Sequence, residues 1–98
     1  MIRFDSSDDE YLGWISGHSN GFVVNSRRSP TSEYLVLHRA SCPSIDGRVQ
    51  GVPGAYTERD YTKFASEDLD DLRSGLAPIS SRFSAVCQRC APLTKTED

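Results

Sequence analysis

Two close-spaced couples of metal-binding side chains stand out in this chain: His38 with Cys42 four residues later, and Cys87 with Cys90 in the run Cys87-Gln88-Arg89-Cys90. Thiolate and imidazole are the donors that tetrahedral zinc prefers, and each couple can wrap one edge of such an ion. The four residues therefore predict one zinc site, built from a His-x3-Cys pair and a Cys-x2-Cys pair. Four protein donors fill the coordination shell, whereas a catalytic zinc keeps a position open for water. The expectation is a structural staple.

Other readings of the same residues stay open at this point. Buried free cysteines are common core residues. A Cys-x2-Cys pair also serves redox chemistry, although such pairs usually open a helix near the start of a βαβ unit. His18, in the turn-like run Gly17-His18-Ser19-Asn20-Gly21, is a substitute fourth ligand, and a loop histidine of this kind is more often simply solvated. No Ser-His-Asp spacing, glycine-rich phosphate loop or metalloprotease helix is present, and Glu67, Asp68, Asp70 and Asp71 read as a helix start and a solvated face. The expectation is a protein that is not an enzyme and takes no small-molecule substrate.

The 98 residues, 37% of them hydrophobic, suit one domain with a thin core, for which a metal staple is useful. No run approaches the ~20 apolar residues of a membrane span. Met1-Ile2-Arg3-Phe4 turns acidic at Asp5, Asp8, Asp9 and Glu10, the wrong order for a signal peptide. Three cysteines, an odd number, argue against a disulfide framework and for a reducing, cytoplasmic setting. The formal net charge of −3 is not that of a nonspecific nucleic-acid binder. Its acids cluster at residues 5–10, 67–71 and the tail, however, so Arg27, Arg28, Arg39 and Arg89 remain candidates for a local nucleic-acid contact.

The elements that must position the ligands are expected as follows. Residues 1–9 form a flexible acidic arm, 10–93 a single zinc-binding domain and 94–98 a tail. Residues 11–15 and 22–25, two apolar runs around Asn20-Gly21, read as a hairpin. Residues 34–38 are the strongest strand, residues 43–57 a long surface loop and 61–64 a short returning strand. Ser66 caps a helix whose Leu69, Leu72 and Leu76 form one apolar stripe, ended by Gly75 and Pro78. Phe83 and Val86 lead into the second cysteine couple. The fold class expected is α+β: a small antiparallel sheet of three to four strands with one main helix.

Gly21-Phe22-Val23-Val24, the segment from Tyr34 to His38-Arg39-Ala40-Ser41-Cys42, Tyr61-Thr62-Lys63-Phe64 with its following helix, and Cys87-Gln88-Arg89-Cys90-Ala91-Pro92 together resemble the N-terminal zinc domain of the bacterial adaptive-response family Ada. That family pairs Cys-x3-Cys with Cys-x2-Cys around one zinc and repairs methylphosphotriesters in DNA. The resemblance implies Cys42, Cys87 and Cys90 as ligands and places His38 where the family has its methyl-accepting cysteine. An imidazole is no such nucleophile, and the loop between the couples is longer here. What the resemblance leaves is a zinc scaffold with a nucleic-acid context, and the competing expectation is a protein–protein adaptor that binds no nucleic acid.

Overall fold

Val23 and Val24 are adjacent and both fully buried, yet they enter different apolar clusters. Successive strand residues point to opposite faces, so the sheet that carries them is covered on both sides. The computed structural model describes residues 1–45 and 54–93, and the expectation for 43–57 lies partly outside them. Its elements are β1 (Ile2–Phe4), α1 (Asp8–Gly17), β2 (Phe22–Arg27), β3 (Leu35–Arg39), β4 (Tyr61–Ser66), α2 (Leu69–Leu76) and β5 (Ala85–Val86). The five strands lie in the order β1-β4-β2-β3-β5, antiparallel except for the β3–β5 pair. The α+β class holds, with one strand and one helix more than expected.

One face packs Val23 and Ala65 against Tyr11 and Ile15 of α1, with Ala40, Cys42 and Ile45 closing the same cluster. The other packs Val24, Leu35, Leu37 and Phe64 against Leu72 and Leu76 of α2. The leucine stripe therefore lies on the sheet as its spacing requires. The cap is shifted, however: Asp68, not Ser66, accepts the first-turn N–H, that of Asp70, at 2.8 Å. Ser66 stands one step back, accepting the Asp68 N–H at 3.1 Å and donating to Asp71 at 2.8 Å.

Residues 11–15 are a correction. They lie inside α1 and not in a strand, and the hairpin partner of β2 is β3. Ser7 caps α1 by accepting the Glu10 N–H at 3.2 Å, and Asp8, Asp9 and Glu10 occupy the first turn, where the helix dipole favours acids. Residues 1–9 are likewise no free arm. Ile2, Arg3 and Phe4 pair with Ala65, Phe64 and Lys63, making β1 an edge strand. The Asp8 carboxylate accepts from the Thr57 amide at 2.8 Å and its hydroxyl at 2.7 Å, tying the start of α1 to the segment before β4.

Gly21 is where helix and sheet come closest. A Cβ there would meet the Trp14 ring at 2.9 Å and the Ser66 carbonyl at 3.1 Å. The glycine lets α1 settle against β2, and that seating walls the side of the sheet on which the cysteines gather.

Candidate metal centre

The two ligand couples meet because β5 runs parallel to β3. Val36 pairs with Ala85 and Leu37 with Val86, and the Cys87 N–H extends the ladder to the Leu37 carbonyl at 2.9 Å. Both strands therefore end at the same edge, and each releases its couple there. After His38 the chain turns through Cys42 N–H to Arg39 O at 3.0 Å and Ile45 N–H to Cys42 O at 3.1 Å. After Cys87 it turns through Ala91 N–H to Cys87 O at 3.0 Å. Ala91 closes this second turn at φ 44°, in the left-handed region that a residue with a Cβ adopts at a cost of about 1–2 kcal/mol.

One donor atom from each of His38, Cys42, Cys87 and Cys90 lies within 4.8 Å of every other. The four residues named by spacing are thus brought together, and the arrangement can hold a metal ion. All three cysteines are free, and Cys42 Sγ stands 3.9 Å from Cys87 Sγ, far beyond the ~2.05 Å of a disulfide. Cys42 and His38 are buried, and the other pair is half-buried at the rim. His38 Nδ1 is buried with no hydrogen-bond partner among the described residues. A buried ring nitrogen left without a partner costs stability, and in its unprotonated tautomer it can take a metal cation as that partner.

The protonation states follow from the surroundings. Burial, and secondarily the nearby Lys63 charge, lower His38 to about 4, so the ring is neutral and ligand-competent near pH 7. Burial pushes the Cys90 thiol up to about 12, with Cys42 and Cys87 adding to the rise against the Arg39 amide. At Cys87 burial also raises the thiol, but backbone N–H groups of Cys90 and Arg89 and the two neighbouring thiols outweigh it, and the net shift is downward. A bound cation at the centre would favour thiolate at every sulfur.

Arg39 is the main support of the second couple. Its amide donates to Cys90 Sγ at 3.2 Å, while Nε and Nη2 donate to the Cys90 and Ala91 carbonyls at 2.8 and 3.0 Å. Its guanidinium thus clamps the turn that carries two ligands. Arg28 is engaged in a comparable way, donating to the Thr57 carbonyl at 2.6 Å and to the Asp5 carbonyl. Arg27 stacks over Tyr34 and Tyr61 at 4.8 and 5.4 Å from their ring centroids, and Arg89 is exposed inside the cysteine turn. In register, Arg39 faces Phe22, five residues before Arg27 on β2, a distance of about 17 Å along the strand. The four arginines do not form one patch. His18 stacks on Trp14 at 4.4 Å and is not one of the four clustered ligands.

Sequence reasoning passed over Lys63. It is 3% exposed, donates to Asn25 Oδ1 at 2.7 Å and to the Tyr56 carbonyl at 2.8 Å, and lies 5.7 Å from the rings of Tyr11, Tyr56 and Tyr61. Burial lowers it to about 8, against the opposing pull of Asp8. Its only sequence signal is its place in Tyr61-x-Lys63-x-Ala65, which puts it on the face that bears Ala65.

Two outcomes follow. Arg39→Ala should weaken metal binding by about 10–100-fold, the usual effect of losing a support of the ligands, in a chelator-competition titration with the fold retained by circular dichroism. Because His38 titrates lower when folded (about 4) than its ordinary value of 6.5, the unfolded chain takes up a proton that the folded chain refuses between those values. Stability from this group is therefore complete above pH 6.5 and lost as pH falls to 4. Urea midpoints of the metal-free chain measured across that window should drop on acidification, and a flat series would contradict the assignment.

No helix among the described residues is long and apolar enough to cross a membrane. Comparison of the chain with protein-family models, curated proteins and solved structures finds no match, and the reading of the site rests on its own geometry.

Proposed function

We propose that the chain is a non-enzymatic module stapled by a structural zinc ion, and that it binds single-stranded nucleic acid through one end of its sheet. The observation that carries the zinc reading is the convergence of three sulfurs and a ring nitrogen of the buried His38, whose Nδ1 has no hydrogen-bond partner among the described residues. A tetrahedron of Zn–S bonds of ~2.3 Å has S···S edges of about 3.8 Å, and the Cys42–Cys87 separation of 3.9 Å fits that edge. His38, Cys42, Cys87 and Cys90 would hold the ion and leave it no open position, so its contribution is to folding, on the scale of about 10–16 kcal/mol for sites of this kind. Thiols of this sort persist in a reducing compartment such as the cytoplasm.

The nucleic-acid reading is supported by Arg27 lying against Tyr34 and Tyr61, whose rings are 5.9 Å apart. Arg27 pairs with Tyr61 at the end of the sheet distant from the metal site, and Tyr34 directly precedes β3 at that end. Aromatic rings with an adjoining guanidinium stack on bases irrespective of sequence, worth about 1–3 kcal/mol per base. Arg28 and Arg39 hold carbonyls of their own chain and leave this interface to Arg27. With an imidazole at position 38, methyl transfer to that residue is not part of the reading.

Elemental analysis of the purified protein should return one zinc per chain, lost in both Cys90→Ser and His38→Ala. Full occupancy in His38→Ala would reject the histidine as ligand. Fluorescence anisotropy with short single strands at two salt concentrations should show binding that weakens with salt and falls about tenfold in Tyr34→Ala. No binding at low salt, with a nuclease-insensitive protein partner captured instead, would favour the adaptor alternative.

A further inference from the structure

The turn after α2 and the approach to β5 wall an open-sided concavity of about 520 Å3, lined by Ser32, Ser80, Arg82, Phe83 and Ser84. None of these is acidic, in a chain with 14 Asp and Glu against 11 Lys and Arg. A second guanidinium stands behind the first: Arg73, from the last turn of α2, lies 5.7 Å over the Phe83 ring and shares a small adjoining cavity with Arg82. Glu33 follows Ser32 in the chain but does not line the concavity.

The hydrogen bonds leave donors over. Ser84 Oγ accepts the Leu35 N–H at 2.7 Å, so its own proton remains to donate outward. Ser80 Oγ is committed, donating to the Arg82 carbonyl at 2.8 Å and accepting the Arg82 N–H at 3.3 Å, which fixes the backbone from which Arg82 projects. The Arg82 guanidinium and the Ser32 hydroxyl have no hydrogen-bond or ion-pair partner among the described residues. A concavity offering hydroxyl protons and a planar fork of N–H donors, with no carboxylate against them, matches the acceptor-only surface of a phosphate.

We propose that this concavity is a phosphate-binding site, with Arg82, Ser32 and Ser84 as donors and Arg73 supporting the field from behind. Its ligand is a phosphate ester, either a small free one or the backbone of a nucleic acid. Ser84 is bonded to the residue that follows Tyr34, so the concavity lies at the same end of the sheet as the stacking side chains. The assignment goes beyond the stacking reading and does not depend on it.

The test is a titration of metal-replete full chain, followed by amide resonances, with inorganic phosphate, a nucleoside monophosphate and a short single strand, each against chloride at matched ionic strength. Phosphate should give saturable shifts at Ser32, Arg82, Phe83 and Ser84 that chloride does not. Arg82→Ala should weaken phosphate binding by about tenfold or more, as loss of a charge-assisted hydrogen bond implies, with Arg82→Lys intermediate. Ser32→Ala, which removes no hydrogen bond of the fold, should weaken it as well. A strand that binds more tightly than the monophosphate identifies backbone phosphate as the source, and equal binding identifies a small ester. Tyr34→Ala should leave the inorganic phosphate titration unchanged, which separates this site from the stacking surface. Shifts reproduced by chloride, or unchanged phosphate affinity in both Arg82→Ala and Ser32→Ala, would overturn the assignment.

Discussion

The parallel contact between β5 and β3 is the constraint on which the metal centre depends. Only two residue pairs, Val36 with Ala85 and Leu37 with Val86, set the register. That register places Cys87 abreast of His38, and the turns that follow carry Cys42 and Cys90 to the same point. A pairing this short is weak alone, and the loop it closes spans 45 residues between Cys42 and Cys87. A metal ion held there would fix the ends, and the strands fix the direction from which the donors arrive.

The charge pattern around the centre follows the same logic. With a divalent ion bound, three thiolates would leave about one negative charge. The Arg39 guanidinium lies on the carbonyls of the cysteine turn, and the buried Lys63 is near enough to His38 to depress its basicity. Neither cation is solvated freely, and each is held by backbone or amide oxygens. A buried charge is tolerable when its hydrogen bonds are satisfied and an opposite charge is within reach, and Lys63 meets the first condition with Asn25 and Tyr56.

The His/Cys cluster, β2, β3, β4 and the stripe of α2 were legible because each rests on a local rule of donor chemistry or apolar spacing. Residues 11–15 were not, because a five-residue apolar run fits both the strand and the helix period. The deciding signal lay upstream, in Ser7 followed by Glu10 three residues later, the pattern of a helix start. Gly13 and Gly17 lower helix propensity and helped to hide it. β5 has two residues and therefore no period to detect, and β1 was masked by the acids after it. Arginine roles are beyond composition altogether. Arg28 and Arg39 differ from Arg27 only in which carbonyls the fold brings near them.

The shortness of β5 has one more consequence. Beyond it, β3 has five residues, Leu35–Arg39, with aliphatic Leu35, Val36 and Leu37 among them, and β5 with its cysteine turn is what lies along their outer hydrogen-bonding edge among the described residues. An uncovered edge of this kind is a template for a strand from another molecule. A metal held by the cysteine turn would anchor it and so act as a cap against self-association. The form without metal would then be the one more prone to pair through the edge of β3.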